Sequence, residues 1–264
     1  MIALTIDCEE WTSALIRDIK SKENYNTLFS KEGNDNLLKV LDKHKIRATF
    51  FTTGFFTDRE KEHIRKIYNK GHEVASHGYD HTFPYSKKVN LNSDVARSKK
   101  AIEKVIKSRI KGFRAPRMAF SHELIKVLDK NKFEYDSSLN PSYLPGVYHN
   151  RKYPLGIFNP VDNLKIKEIP VAAYPYFRFP MSWVFIRNIG GLWANLGSNL
   201  LLKQDIAPVL YFHSWEFKKI KSANIPIYLK YHTGKQFCNL LDKFITRFKR
   251  NKFVTMEELI QKLK

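Results

Sequence analysis

The sequence predicts an α/β fold: a distorted (β/α) barrel of about seven parallel strands, in one domain covering residues 1–264. Three observations carry this. Short apolar runs rich in β-formers alternate with longer amphipathic segments, the rhythm of strand–helix units around a parallel sheet. The number of such units favours a closed barrel over an open sheet. With 264 residues, 43% of them hydrophobic, the chain fills one large core and is short for two domains, and no linker, repeat or low-complexity stretch divides it.

The elements follow in order. Residues 2–6 read as a first strand, and Leu37, Leu38, Val40 and Leu41 as the apolar face of a helix after it. Residues 47–52 (RATFFT) form a second strand, closed by Gly54. A helix is expected over 58–69, with Asp58 as N-cap and Gly71 as its stop. A short third strand spans 73–76, and a helix over 93–107 offers Val95, Ala101, Ile102, Val105 and Ile106 to the core. A strand at 111–113 precedes Arg114. Ser121 caps a helix running to about residue 131, with Glu123 in its first turn. Residues 133–136 and 164–171 read as further strands, and 140–176 as an irregular stretch that breaks the symmetry. The strongly apolar 208–212 (PVLYF) is a strand, 233–249 a long helix, 253–255 a strand, and a terminal helix starts at Met256. The apolar, glycine-bearing segment 181–202 can be a lid, a membrane-resting face or a core helix, of which the core is favoured.

Composition narrows the function classes. The chain carries 46 Lys+Arg against 26 Asp+Glu, a formal net charge of +20. Such a field attracts polyanions: nucleic acid, an anionic membrane face or a phosphate-bearing glycan. The basic residues are spread along the chain and form no arm, so nucleic acid is not expected as a partner. Cys8 and Cys238 stand in no metal or redox spacing and read as two buried thiols in a reducing cytoplasm. Met1 runs straight into the alternation of Ile2, Leu4 and Ile6, so no signal peptide is expected, and no run reaches the roughly 18 apolar residues of a spanning helix.

Five polar groups fall at or just beyond predicted strand ends: Asp7, His77, Arg114, Asp136 and His213. In a parallel barrel the C-terminal strand ends open on one face, where catalytic groups collect. His77 and His81, four residues apart, can share one metal from a tight turn, which Gly78 and Pro84 favour. Gly78 stands where a HExxH metalloprotease needs glutamate. The third ligand should be a carboxylate, and Asp7-Cys8-Glu9-Glu10 offers three at the end of the first strand. Unscreened, they would repel one another. Asp7 and Glu9, two apart on an extended chain, face one side together.

Thr5-Ile6-Asp7-Cys8-Glu9-Glu10-Trp11, Ser76-His77-Gly78-Tyr79-Asp80-His81 and Phe113-Arg114-Ala115-Pro116 resemble the first three motifs of the NodB-homology polysaccharide deacetylases, carbohydrate esterase family 4. Tyr135-Asp136-Ser137-Ser138 and Tyr211-Phe212-His213-Ser214-Trp215-Glu216 resemble the other two, in the family's order. The resemblance implies a distorted barrel, a divalent cation, and hydrolysis of N-acetyl groups on sugars. It implies Asp7 as general base, His213 as general acid, Arg114 orienting Asp7, Asp136 supporting His213, and His77 and His81 as metal ligands. The family's commonest first motif has adjacent aspartates. Asp7-Cys8-Glu9 departs from it and is similar to the subgroup with the pattern DxEDW, so the metal carboxylate is Glu9, with Glu10 as the fallback. Zinc is the default metal, with iron, cobalt, manganese and nickel as alternatives.

The expected substrate is an N-acetylated glycan, phosphate- or lipid-linked, handled in the cytoplasm or at the inner membrane face. The aromatic run Tyr174-Pro175-Tyr176-Phe177-Arg178-Phe179-Pro180 and Trp183 either stack on sugar rings or pack a surface loop. Two rival readings stand beside this: a hydrolase of a non-sugar amide on the same fold (allantoinase- or imidase-like), and a basic binding module without catalysis.

Overall fold

The computed structural model describes residues 1–10, 27–81, 90–221 and 225–262; Trp11 and Pro84 lie outside them. The chain opens with β1 (Ile2–Cys8), α1 (Thr27–His44), β2 (Thr49–Thr52), α2 (Gly54–Arg59), α3 (Lys61–Asn69), β3 (Glu73–Ser76) and α4 (Leu91–Ile106). It continues through β4 (Gly112–Phe113), α5 (His122–Lys130), β5 (Tyr135–Asp136), β6 (Tyr143–Leu144), β7 (Tyr148–His149) and β8 (Lys167–Glu168). The last part holds α6 (Trp183–Ile189), α7 (Gly191–Leu202), β9 (Val209–His213), α8 (Ile227–Lys230), α9 (Lys235–Arg247), β10 (Phe253–Val254) and α10 (Met256–Gln261).

The main sheet is parallel throughout and has eight strands among the described residues, close to the seven expected. Its path runs β9–β1–β2–β3–β4–β5–β8, with β10 beside the first residues of β1. Beyond β8 the chain swings back, and backbone bonds from Val171 to Leu139 and from Ala172 to Val209 (2.8 Å) bridge the gap to β9. The barrel is therefore distorted on the side the sequence marks as irregular. That stretch contains an antiparallel hairpin, β6 with β7.

Alternation along the strands sorts the side chains. Ile2, Leu4, Ile6 and Cys8 point outward, into the large core under the helices with Leu37, Phe50 and Phe113. Ala3 points inward with Phe51, Ala75, Tyr135, Val209 and Tyr211, and these fill the barrel. Strand period 2 then places Thr5 and Asp7 on the inward side of β1, and His213 on that of β9. Gly112 makes room for this interior: a Cβ there would fall 2.0 Å from Cζ of the Tyr135 ring.

Helix boundaries depart from expectation at two places. The helix expected from residue 58 is two helices: Thr53 caps α2 by accepting from the Phe56 N–H, and Asp58 lies inside that helix, accepting from the Tyr79 hydroxyl. Gly54 opens α2 and does not merely close the strand. The fourth helix begins at Leu91, capped by Asn90, where Ser93 was expected. Ser121 does cap α5, accepting from the Leu124 N–H at 3.1 Å. In segment 181–202, Met181, Ile186, Ala194 and Leu201 join the core, while Ile189, Leu192 and Leu196 face outward.

Candidate active site and metal centre

Strand register assembles the site. Asp7 of β1 is the Cα partner of His213 on β9, and Thr52 of β2 pairs with Ser76, so His77 leaves β3 just beyond the same rim. Gly78 follows with φ +73°, a left-handed conformation that turns the chain back so that His81 returns to the cleft.

Arg114 is completely buried and held on all sides. It donates from Nη1 to Asp7 Oδ1 at 2.8 Å and to Thr5 Oγ1 at 2.9 Å, from Nη2 to Ser137 Oγ at 3.0 Å, and from Nε to the Ser137 carbonyl at 3.1 Å. The guanidinium also lies over the Phe51 ring, 4.1 Å from its centroid. Charge-assisted bonding of this kind fixes the rotamer of Asp7 and matches its charge inside the barrel.

Glu9, His77 and His81 converge, with one ligand atom from each lying within 4.8 Å of the others. His77 Nε2 is 3.5 Å from Glu9 Oε2, and His81 Nε2 lies against the same oxygen. His77 Nδ1 bonds the Arg114 carbonyl at 2.8 Å, which requires the proton on Nδ1 and leaves the Nε2 lone pair facing the cluster. Burial alone would raise the Glu9 carboxyl, but the imidazoles of His81 and His77 outweigh it and hold it well below the usual carboxylate range. Glu9 Oε2 and both nitrogens of His81 are buried with no hydrogen-bond partner. One carboxylate and two imidazoles, each offering one buried ligand atom to the same small space, fit a divalent cation. Glu10, the fallback ligand, is turned towards α2 and accepts from Thr53 Oγ1 at 3.3 Å; burial pushes it up to about 8.

His213 completes the cluster. Its Nε2 is 3.9 Å from Asp7 Oδ2 and 3.9 Å from Glu9 Oε1. The ring stacks on Trp215, with centroids 4.9 Å apart, and lies nearly perpendicular to the Trp183 ring at 5.0 Å. Burial pulls the imidazole down, yet Glu216, Glu9 and Asp7 together raise it above its ordinary value. These groups open into a cleft of about 560 Å³, whose walls include Met118, Tyr148, Trp183 and Tyr228.

A model described as polysaccharide deacetylase matches residues 13–135. Peptidoglycan deacetylase of Helicobacter pylori is 34% identical over 114 residues, 42% of this chain and 39% of that protein. The matched stretch covers a little under half of the chain, and over it the chain is similar to the polysaccharide deacetylases. The chain spans about a third to two fifths of the length of the first curated relatives it matches. Among solved structures, a Mycobacterium smegmatis protein assigned as a polysaccharide deacetylase superposes with a TM-score of 0.74 at 21% identity, covering 98% of this chain and 88% of that one. Puue allantoinase superposes with a TM-score of 0.68 at 14% identity, also over 98% and 88%. At these identities the two share the fold.

Of the seven site residues read from the sequence, six come together. Asp136 does not join them at His213. Tyr135 points into the barrel, so Asp136 points out of it, where it accepts from Ser138 Oγ at 2.6 Å beside its register partner Glu168. Burial pushes Asp136 up to about 6 and Glu168 well above the carboxylate range, the consequence of two acids sharing one dry space. The carboxylate that backs His213 is Glu216, whose Oε2 is 3.4 Å from Nδ1 and accepts the His213 backbone N–H at 2.8 Å. Behind Glu216 stands buried Arg187, with Nε 3.4 Å from Oε1. Trp215 Nε1 donates to Glu9 Oε1 at 3.3 Å. The i, i+3 spacing from His213 to Glu216 is a signal the sequence does hold; nothing in sequence ties Arg187 to either.

Proposed function

We propose that this protein is a metal-dependent amide hydrolase that removes N-acetyl groups from a sugar. The observation that carries the reading is one buried cleft holding Asp7, fixed by Arg114, with His213, backed by Glu216, around the Glu9–His77–His81 cluster. A divalent cation bound by those three residues supplies Lewis acidity towards water and the amide carbonyl, and zinc suits the donor set. Asp7 accepts the proton of the attacking water as its oxygen bonds the acetyl carbon. His213 donates a proton to the sugar nitrogen as the carbon–nitrogen bond breaks, because an amine leaves poorly as an anion. Acetate and the free amino sugar result. Trp183, at the cleft wall, offers a flat apolar face for a sugar ring.

The finer reading is a phosphate- or lipid-linked glycan intermediate, handled in the cytoplasm at an anionic membrane face. The charge of +20 supports the phosphate, and the two free, separated cysteines accord with a reducing compartment. Acetate release from a panel of N-acetyl sugars, free and phosphate-linked, tests the proposal. Chelator-sensitive release is expected from at least one member. Release only from ureides or cyclic imides would replace it with the allantoinase-like reading, and no turnover by metal-loaded protein would remove catalysis altogether.

A further inference from the structure

A surface helix in a chain with 27% charged residues ordinarily shows its charges to water. Helix α7 (GLWANLGSNLLL) has none. Its buried side is accounted for by Ala194, Gly197 and Leu201, yet its outer side carries Leu192, 75% exposed, and Leu196, 59% exposed, at one-turn spacing. The same row runs on through half-buried Leu200 to Lys203. Ile189, at the end of α6, extends the patch.

The patch continues on both sides of the cleft. The turn carrying Tyr176 and Phe177, 71% and 76% exposed, is tied to α7 by the Tyr174 ring, 4.4 Å from that of Trp193, and to β6 by the Tyr143–Arg178 backbone bond. On the other side the Tyr228 carbonyl of α8 accepts from Arg187 and Asn188 of α6, and Ile227 beside it is 72% exposed. Val147, Val184 and Tyr228 line the cleft itself, so the apolar rim and the mouth of the site are one surface.

The charge of these segments is one-sided. Acids occur about once in ten residues over the chain, yet residues 137–161, 169–204 and 217–241 contain no Asp or Glu and ten Lys or Arg, of which Arg187 is buried against Glu216 and Lys218 pairs with Glu32. Two copies meeting through this face would bring an excess of like charge to like charge. An anionic bilayer meets both properties at once, taking Leu, Ile and aromatic side chains into its interface and basic residues at its headgroups. No helix among the described residues is long and apolar enough to cross a membrane, so the contact is interfacial. We infer that the α6–α7–α8 rim docks the protein on an anionic lipid bilayer, with the cleft mouth held at the headgroup level.

The test is co-sedimentation of the full chain with vesicles of phosphatidylcholine alone and with 30 mol% phosphatidylglycerol, an illustrative anionic fraction of about one lipid in three. Binding is expected to the anionic vesicles only. The neutral double variant L192Q/L196Q should weaken it by about tenfold or more, with an unchanged circular dichroism spectrum and melting temperature. Binding equal to wild type in that variant would overturn the inference, since charge alone would then suffice. So would a wild-type dimer in sedimentation equilibrium that the variant abolishes, with no vesicle binding by either. Vesicle binding requires no turnover, so failure here leaves the deacetylase reading intact, and the reverse holds as well.

Discussion

At the scale of residues, the proposed reaction separates holding a cation from moving a proton. His77 contributes a lone pair whose direction is set by its Nδ1 bond to the Arg114 carbonyl, whereas His213 stands 3.9 Å from two carboxylates with Glu216 behind it. The two histidines should therefore fail differently. His213→Ala is expected to lower kcat/KM by about 10²–10⁴ while metal stoichiometry by elemental analysis stays at the wild-type value. His77→Ala should lose the metal itself. Equal metal loss in both variants would merge the two roles and reject the assignment of His213 as acid. Arg114 shows how much support Asp7 draws on: three further hydrogen bonds and an aromatic face hold its arginine partner in place.

At the scale of elements, β4 and β5 show that strand parity decides which side chains reach the cleft. The inward turn of Tyr135 fills the barrel above Gly112 and ends on Glu73, to which its hydroxyl donates at 2.6 Å. It also sends Asp136 outward to Glu168, and Ser137 back in to Arg114. Gly112→Ala would set a methyl group against that ring. The interior is already packed, so the expected cost is about 1–3 kcal/mol, read by urea unfolding. A variant as stable as wild type would mean that the ring has room to move.

At the scale of the whole molecule, stability depends on pH through buried groups that do not line the cleft. Burial lowers His72 to about 4, and its Nδ1 accepts the Ala48 N–H at 3.2 Å, so the folded protein holds it neutral. Below pH 6.5 the unfolded chain takes up a proton that the folded chain refuses until about pH 4. His72 therefore supports the fold above pH 6.5, and that support, about 3 kcal/mol, is lost as pH falls through this window. Asp94 acts in the opposite sense, because burial raises it to about 6 and its effect is to weaken the fold as pH rises from 3.8. The wild-type curve mixes the two, and a variant separates them. His72→Asn keeps an acceptor for Ala48 but does not titrate, so its stability deficit should shrink between pH 6.5 and 4. A deficit independent of pH would show that His72 is not held neutral.

Much of this was legible in one chain. Alternation and β-rich runs determined the parallel barrel, because burial on both faces of a parallel sheet writes itself into short apolar stretches. The placing of Asp7, His77, Arg114 and His213 followed from their positions at strand ends, that of Glu9 from sharing a face with Asp7 two residues before it, and that of His81 from its spacing to His77. What surrounds them, only the tertiary structure decided. Asp136 stands at a strand end like the others, but the side it faces depends on the packing of Tyr135 over Gly112, which no local pattern records. Arg187 reaches Glu216 from a helix distant in sequence. The outward leucines of α7 are indistinguishable from core leucines until the burial of Ala194 and Leu201 fixes which side of the helix is covered. Local periodicity constrains how a residue points relative to its neighbours; only packing between distant segments determines what it points at.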